Sequence, residues 1–181
     1  GGGSGLDADR LDGFSSEDFW KLGGNAGTTP GTQFLGTTDN QPVEFKVGNV
    51  RALRLEPAGG SAPNIIGGAG NSIATGVMAA TIAGGLLNRI GTNSSYSAVG
   101  GGYGNQVATN ASHATIAGGQ YHSIGNNSSL TVIGGGMYNR IQEDSPGGTV
   151  AGGWPNAIGT RSEYSAVGGG LGNTISSNCQ A

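Results

Sequence analysis

The sequence predicts an all-β protein whose larger part is a β-solenoid, or β-roll, built from seven 17-residue repeats and preceded by a segment that contains a β-hairpin. Seven similar ten-residue stretches follow one another at a constant interval along the chain. Branched apolar residues recur at fixed positions of these stretches, and each stretch contains a pair of glycines. Of the 181 residues, 39 are glycine and only 10% are charged. This composition is typical of neither an ordinary globular domain nor a disordered chain.

Residues 1–63 differ in composition from the rest of the chain, because they hold 13 of the 19 charged side chains. We expect residues 1–30 to form an N-terminal connector. The opening GGGSG is typical of a linker, which indicates that the chain is a segment of a longer protein. Within the connector, the stretch SSEDFWKL predicts one helical turn that is capped by Ser16.

A β-hairpin is predicted within residues 31–63. The segments PVEFKV and RALRLEP alternate apolar and polar residues, and Gly48 and Asn49 stand between them. A short turn with glycine and asparagine between two alternating segments is a strong hairpin signal. Residues 57–63 run from one proline to another and are expected to link the hairpin to the repeats.

Residues 64–181 form the predicted solenoid, and we number the positions of each repeat from 1 to 17. The copies begin at residues 64, 81, 98, 115, 132, 149 and 166. Positions 4 and 5 are glycine in all seven copies, and position 8 is asparagine in all but the fourth, which has His122. Positions 2 and 10 are always branched: Ile65, Ile82, Val99, Ile116, Ile133, Val150 and Val167, then Ile73, Ile90, Val107, Ile124, Ile141, Ile158 and Ile175. A unit this short with two β-branched anchors predicts two short strands per repeat.

One repeat cannot bury its own anchors, so the repeats are expected to stack. Stacking at the strand spacing of about 4.8 Å aligns equivalent side chains and creates a thin continuous core with side-chain ladders. Position 3 alternates between alanine and glycine from the second copy onward. The sequence therefore leaves open a 17-residue coil and a 34-residue coil.

Two explanations remain open for the paired glycines. Glycine adopts positive φ at a sharp corner without steric penalty. Alternatively, a column of residues without side chains allows the backbone of a neighbouring chain to approach closely. A thin solenoid buries little apolar area against an ordering cost of about 1–2 kcal/mol per residue. Further burial between chains therefore favours an intertwined homotrimer.

Three parts of the chain resemble fibre proteins. The opening LDADRLDG resembles segments of bacteriophage tail fibres and related bacterial fibres, and VEFKVGNVRALRLEP is similar to a hairpin of such trimeric fibres. The glycine-rich repeats resemble the head domains of trimeric autotransporter adhesins, which are left-handed parallel β-rolls. These resemblances imply a trimeric fibre segment that is extracellular, on a cell surface or on a phage or phage-like particle.

No pattern in the sequence predicts catalysis, a cofactor or a metal site, so we expect a protein that is not an enzyme. The acidic stretch DADRLDG departs from the calcium-loop pattern at Leu11 and is expected to be solvated. His113 and His122 occupy different repeat positions, which favours structural or solvent-facing roles for both. The acids that follow residue 63 are few and include no catalytic pair: Glu143, Asp144 and Glu163.

Charge and hydropathy exclude two further classes of function. The net charge of −3 offers no basic face for nucleic acid. No stretch approaches the roughly 18 apolar residues of a membrane span, so we expect no membrane insertion. Cys179 is the only cysteine and has no partner for an internal disulfide.

The predicted function is a structural and adhesive fibre segment that presents a face to a cell-surface carbohydrate or protein receptor. Exposed aromatic residues beside Asn and Ser suit such contacts. The alternative is an ice-binding or other flat-faced solenoid, although threonine occupies position 1 only in alternate copies between residues 81 and 166. The candidate recognition residues are the aromatic residues of the repeats: Tyr96, Tyr103, Tyr121, Tyr138, Trp154 and Tyr164.

Overall fold

The computed structural model describes residues 10–11, 14–15, 19–59 and 61–179. The chain divides into two compact units, residues 1–37 and 38–181. All regular elements of the described residues are β-strands, and none of these residues is helical. The all-β prediction is thus confirmed.

The first unit has little regular structure in its described part. Strand β1 (Arg10–Leu11) pairs antiparallel with β2 (Phe14–Ser15). The helical turn predicted in SSEDFWKL is absent from its described residues 19–22, and Ser16 and the acidic stretch before Arg10 lie outside the described residues. The backbone N–H of Lys21 donates instead to the Asn25 side chain at 2.9 Å. This local side-chain bond competes with helix formation.

The second unit begins with the predicted hairpin. Strand β3 (Val43–Val47) pairs antiparallel with β4 (Val50–Ala58). Gly48 and Asn49 form the turn, and their φ values of 54° and 62° are those of a hairpin turn that matches the strand twist. The hairpin prediction is confirmed.

Strand β4 also pairs antiparallel with β5 (Ser61–Gly67). Most of residues 57–63, which were expected to be a linker, therefore lie in these two strands. Pro57 is compatible with a strand here because the pairing is irregular between Glu56 and Ala58, where no ladder N–H is needed. The hairpin and the repeats belong to one continuous sheet.

The repeats form two sheets of parallel strands, with one strand of each sheet in every coil. Each strand pairs with the equivalent strand of the next coil. The first sheet continues from β5 through β7 (Thr81–Ile82), β9 (Ala98–Val99), β11 (Thr115–Ile116), β13 (Val132–Ile133), β15 (Thr149–Val150) and β17 (Ala166–Val167). The second contains β6 (Ser72–Ile73), β8 (Arg89–Ile90), β10 (Gln106–Val107), β12 (Ser123–Ile124), β14 (Arg140–Ile141), β16 (Ala157–Ile158) and β18 (Thr174–Ile175).

The pairing decides the length of a coil. Thr81 pairs with Ala98 in the first sheet, and Val107 pairs with Ile124 in the second, so each strand lies beside the equivalent strand of the very next repeat. The protein is a β-solenoid of about seven turns, as predicted. The alternation at position 3 changes a side chain and does not create a 34-residue coil.

The core is a narrow column between the two sheets. Ile82 from the first sheet and Ile90 from the second are fully buried, as are their equivalents through the sixth coil. Small residues at positions 14 and 17 complete the core column. They lie in the segment that connects the second strand of one coil to the first strand of the next. Those that are buried are Ser94, Ala111, Ser128, Ser145 and Ser162 at position 14, and Ala80, Ser97, Ala114, Thr131 and Ser165 at position 17.

The first coil departs from the 17-residue alignment. Ile66, rather than Ile65, pairs with Ile82 and is buried, whereas Ile65 is 41% exposed. The assignment of Ile65 to the buried column is therefore wrong. Strand β5 enters this coil from its antiparallel pairing with β4, and the coil reaches the glycine corner with one residue fewer.

The glycine column makes the sharp corner that was expected, and its close approach is within one chain rather than to a neighbouring one. The position-5 glycines have φ values between +73° and +100°, which only glycine adopts freely. A Cβ at Gly102 would overlap the carbonyl oxygen of Gly119 in the next coil. The close approach is thus between successive coils, and the corner requires glycine for a second reason.

Candidate functional site

The position-8 asparagines form an internal ladder that holds the glycine corners in place. The Nδ2 of Asn105 donates to the carbonyl oxygens of Gly101 in its own coil (2.9 Å) and Gly119 in the next (3.0 Å). Its Oδ1 accepts the backbone N–H of His122 at 2.9 Å. One amide therefore satisfies three backbone groups at a corner, which makes the path of the following segment the same in each coil.

His122 occupies this ladder in the fourth coil and is fully buried. Its Nδ1 accepts the backbone N–H of Asn139 at 3.1 Å, so the ring is neutral and carries its proton on Nε2. That Nε2 has no hydrogen-bond partner among the described residues. Burial lowers the pKa of the His122 imidazole below its usual 6.5. His122 therefore has a structural role in the core, which is one of the two roles expected for it.

A second internal ladder uses the serines of position 14, which the sequence reasoning did not single out. The Oγ of Ser145 donates to the Gly159 carbonyl oxygen at 2.8 Å and accepts the Ser162 backbone N–H at 3.1 Å. A small residue stands at position 14 in every copy from the second to the sixth, and this pattern is the sequence feature that predicts the ladder.

Positions 6 and 7 form an exposed corner between the two sheets. Parallel bridges connect position 6 of successive coils, for example Leu86 with Tyr103. At position 7, Leu87, Tyr121 and Tyr138 have left-handed backbone conformations, with φ values of 55° to 59°. We call the row of large side chains on this corner the aromatic ridge: Leu86, Leu87, Tyr103, Tyr121, Met137, Tyr138, Trp154 and Leu171.

The tyrosines of the aromatic ridge contact one another across three coils. The rings of Tyr103 and Tyr121 meet edge to face with centroids 5.1 Å apart, and those of Tyr121 and Tyr138 are stacked at 5.1 Å. A hydrogen bond with Tyr103, together with desolvation, raises the pKa of the Tyr121 hydroxyl. Tyr121 and Tyr138 nevertheless remain 41% and 49% exposed.

The other side of the coil carries a polar corner at positions 13 and 16. The side chain of Asn93 donates to Asn110 at 3.0 Å, Asn110 to Asn127 at 3.1 Å, and Asn127 to Asp144 at 2.8 Å. We call this corner the asparagine corner and define it by Asn93, Asn110, Asn127 and Asp144 at position 13, with Tyr96, His113, Leu130 and Tyr164 at position 16.

Both positions of the asparagine corner have left-handed backbone conformations. Asn93 and Asn110 have φ values of 55° and 56°, which asparagine tolerates well. Tyr96 has a φ of 61° and stacks on the exposed His113 ring, with centroids 5.0 Å apart. The corner therefore presents a row of amides beside a row of larger side chains.

The six predicted recognition residues lie on different corners. Four of them belong to the aromatic ridge, whereas Tyr96 and Tyr164 belong to the asparagine corner. The prediction did not single out the surface row of Asn93, Asn110, Asn127 and Asp144, although position 13 carries one of these residues in each of four successive repeats. It also missed Leu86, Leu87, Met137 and Leu171, which share positions 6 and 7 with the ridge aromatics.

The unit of residues 1–37 contains a separate cavity of about 720 Å³. Its lining includes the exposed side chains of Phe19, Trp20, Phe34 and Leu35. The sequence patterns did not predict this cavity. Nothing among its lining residues forms a cluster of titratable groups.

Metal-binding clusters and membrane-spanning helices are both missing from the described residues. Within them, no group of three or more His, Cys, Asp or Glu side chains is arranged to hold a metal ion. The described part of the chain likewise has no helix with the length and hydropathy of a membrane span.

Comparison of the chain with family models, curated proteins and solved structures finds no match.

Proposed function

We propose that the chain is a segment of a structural and adhesive fibre of the tail-fibre or surface-adhesin type. It forms a rigid homotrimer outside the cell, on a cell surface or on a phage or phage-like particle, and has no catalytic role. The observation that carries this proposal is the stack of about seven equivalent coils, joined by continuous ladders, with chemically distinct corners exposed along its length. A β-solenoid is compatible with a structural or binding fibre.

The ladders support the structural role. Backbone N–H groups of one coil donate to carbonyl groups of the next, as from Gly100 to Ile116 and from Gly134 to Val150, both at 2.9 Å. The buried asparagine and serine side chains add further bonds between the same coils. Such a stack gains length by adding units and resists bending and proteolysis because few backbone groups between coils are unpaired.

The asparagine corner supports the adhesive role. Its amides offer donors and acceptors at the spacing of the coils. Tyr96, in the coil of Asn93, and Tyr164, in the coil of Arg161, are 54% and 64% exposed. Amide and tyrosine side chains together are typical of surfaces that bind carbohydrate or protein. We propose that the asparagine corner is the receptor-binding face, with a cell-surface glycan or protein as its ligand.

One preparation of the whole chain tests both parts of the proposal. Light scattering should give a molar mass three times the 17.8 kDa of the chain. The same protein should bind members of a printed array of cell-surface glycans or purified surface proteins. A Tyr96→Ser/Tyr164→Ser variant should keep the mass and bind at least tenfold more weakly. A single-chain mass contradicts the trimer, and unchanged binding by the variant contradicts the assignment of the face.

A further inference from the structure

The aromatic ridge leaves a continuous apolar surface in solvent. Tyr121, Tyr138 and Trp154 are 41%, 49% and 52% exposed, and Leu171 is 70% exposed. At about 150–250 Å² for each aromatic side chain, the three aromatic residues alone expose on the order of 300 Å². The leucines and Met137 raise the ridge to roughly 600 Å², the upper end for the largest apolar patch on a monomer.

This area is close to what a stable contact between proteins requires. A standard interface buries roughly 800 Å² on each partner, of which somewhat more than half is apolar. The ridge supplies that apolar part without any contribution from its polar neighbours. Its tyrosine rings are already ordered by contacts with one another, so little side-chain freedom is lost when a partner covers them.

The charges of the solenoid favour a partner of the same kind. Positions 6 and 7 carry no charged residue in any of the seven copies. Residues 64–181 contain three arginines and three acids, so this part of the chain has a formal net charge of zero. A net charge near zero permits copies to associate without electrostatic repulsion.

The spacing of the ridge also favours a second copy. Each coil from the second to the seventh adds one or two large side chains to the ridge, at the strand spacing of about 4.8 Å. Another copy presents side chains at the same spacing, so contacts made in one coil repeat in the next. A partner with a different repeat length would lose this match within a few coils.

We propose that the aromatic ridge is the surface through which copies of this chain pack against one another. This inference rests on the proposed homo-oligomer and assigns its contact surface. The ridge then faces the partner chains, while the asparagine corner, on the other side of each coil, stays exposed to solvent. The two groups of predicted recognition residues thereby have separate roles in assembly and in binding.

A pair of double variants of the full chain tests the assignment. Leu87→Asp/Tyr138→Asp places two charges on the ridge, and Tyr96→Asp/Leu130→Asp places two at the asparagine corner. All four positions are left-handed, with φ values of 56° to 61°, and aspartate tolerates this conformation. The variants therefore match in backbone geometry, in the charge introduced and in the kind of side chain removed.

Light scattering should show that the ridge variant loses the oligomer, with a threefold fall in molar mass, while the corner variant keeps the mass of the unaltered chain. An unaltered chain that is oligomeric, with a ridge variant that is equally oligomeric, overturns the assignment of the ridge alone. An unaltered chain of single-chain mass overturns the proposed trimer together with this inference. Circular dichroism on both variants separates dissociation from unfolding.

Fluorescence of Trp154 gives a test that requires no ridge substitution. Trp20→Phe leaves Trp154 as the only tryptophan. In the oligomer its emission should be blue-shifted and quenched at least twofold less by acrylamide than after dilution to single chains. Equal quenching in the oligomeric and diluted protein would show that the ridge is uncovered and would overturn the proposal.

Discussion

His122 is a substitution within an otherwise amide-based ladder. An asparagine at position 8 offers two N–H donors and one acceptor, whereas a neutral imidazole offers one of each. The acceptor is used by Asn139, and the Nε2 donor is left buried without a partner among the described residues. The neighbouring ladder residues, Asn105 and Asn139, do not titrate. The corner of the fourth coil therefore has fewer hydrogen bonds to the backbone than a corner held by asparagine.

Acidification should destabilise the protein through this residue. The folded-state pKa of His122 lies below 6.5, so the unfolded chain binds the proton first as pH falls. The contribution of neutral His122 to the free energy of unfolding is fully present above about pH 6.5. It decreases as the pH falls from 6.5 towards the folded-state pKa. His122→Asn should remove this dependence and add about 1 kcal/mol at neutral pH by completing the ladder.

Urea unfolding between pH 7.5 and 5 measures the effect. His113→Asn is the matched control, because His113 is exposed and belongs to the asparagine corner. If the control abolishes the pH dependence and His122→Asn retains it, the buried imidazole is not its origin.

Strand β4 provides a cap for the first coil. Within the stack, N–H groups donate to the following coil, as Ala83 does to Val99, so carbonyl groups of the first coil lack a donor from a preceding one. The Arg51 side chain supplies two replacements. Its Nε donates to the Gly68 carbonyl oxygen at 3.5 Å, and its guanidinium Nη2 donates to that of Asn71. The hairpin thus ends the solenoid with satisfied backbone groups.

Removal of the cap should therefore lower stability. Arg51→Met leaves the Gly68 and Asn71 carbonyl groups without a donor and should reduce the free energy of unfolding by about 1–3 kcal/mol. Arg54→Met is the matched control, because Arg54 pairs with Glu44 and Glu56 on the hairpin and exposed ion pairs contribute about 1 kcal/mol or less. Equal losses in urea unfolding would contradict the capping role of Arg51.

The strands differ in how far the sequence predicts them. The paired anchors at positions 2 and 10 predict the strand positions because burial demands branched residues there in every coil. The first coil was misaligned because its strand β5 is placed by pairing with β4, a contact between segments that no repeat pattern contains. The coil length was undecided because alanine and glycine at position 3 both fit the same ladder.

The corners are harder to predict than the strands. Tyr96 and Tyr121 are alike in sequence context, yet they lie on different sides of a coil, since the strand at positions 9 and 10 stands between positions 7 and 16. Only the path of the chain separates them. The homotrimer was expected from the small buried area of a thin solenoid and from the resemblance to fibre proteins, whereas the extracellular location came from the resemblance alone. Both stay predictions.

The whole solenoid depends on one arrangement, in which each 17-residue repeat is a complete coil lying directly on the next. Its stability and its separated corners both follow from that stacking. Scalar couplings across hydrogen bonds, measured by NMR on the deuterated chain, test it most directly. A 17-residue coil should give couplings from the amide nitrogen of Ala98 to the carbonyl carbon of Ala114, and from the amide nitrogen of Thr115 to the carbonyl carbon of Thr131. A coupling from Ala98 to Thr131, which would skip one repeat, or couplings to antiparallel partners would contradict it.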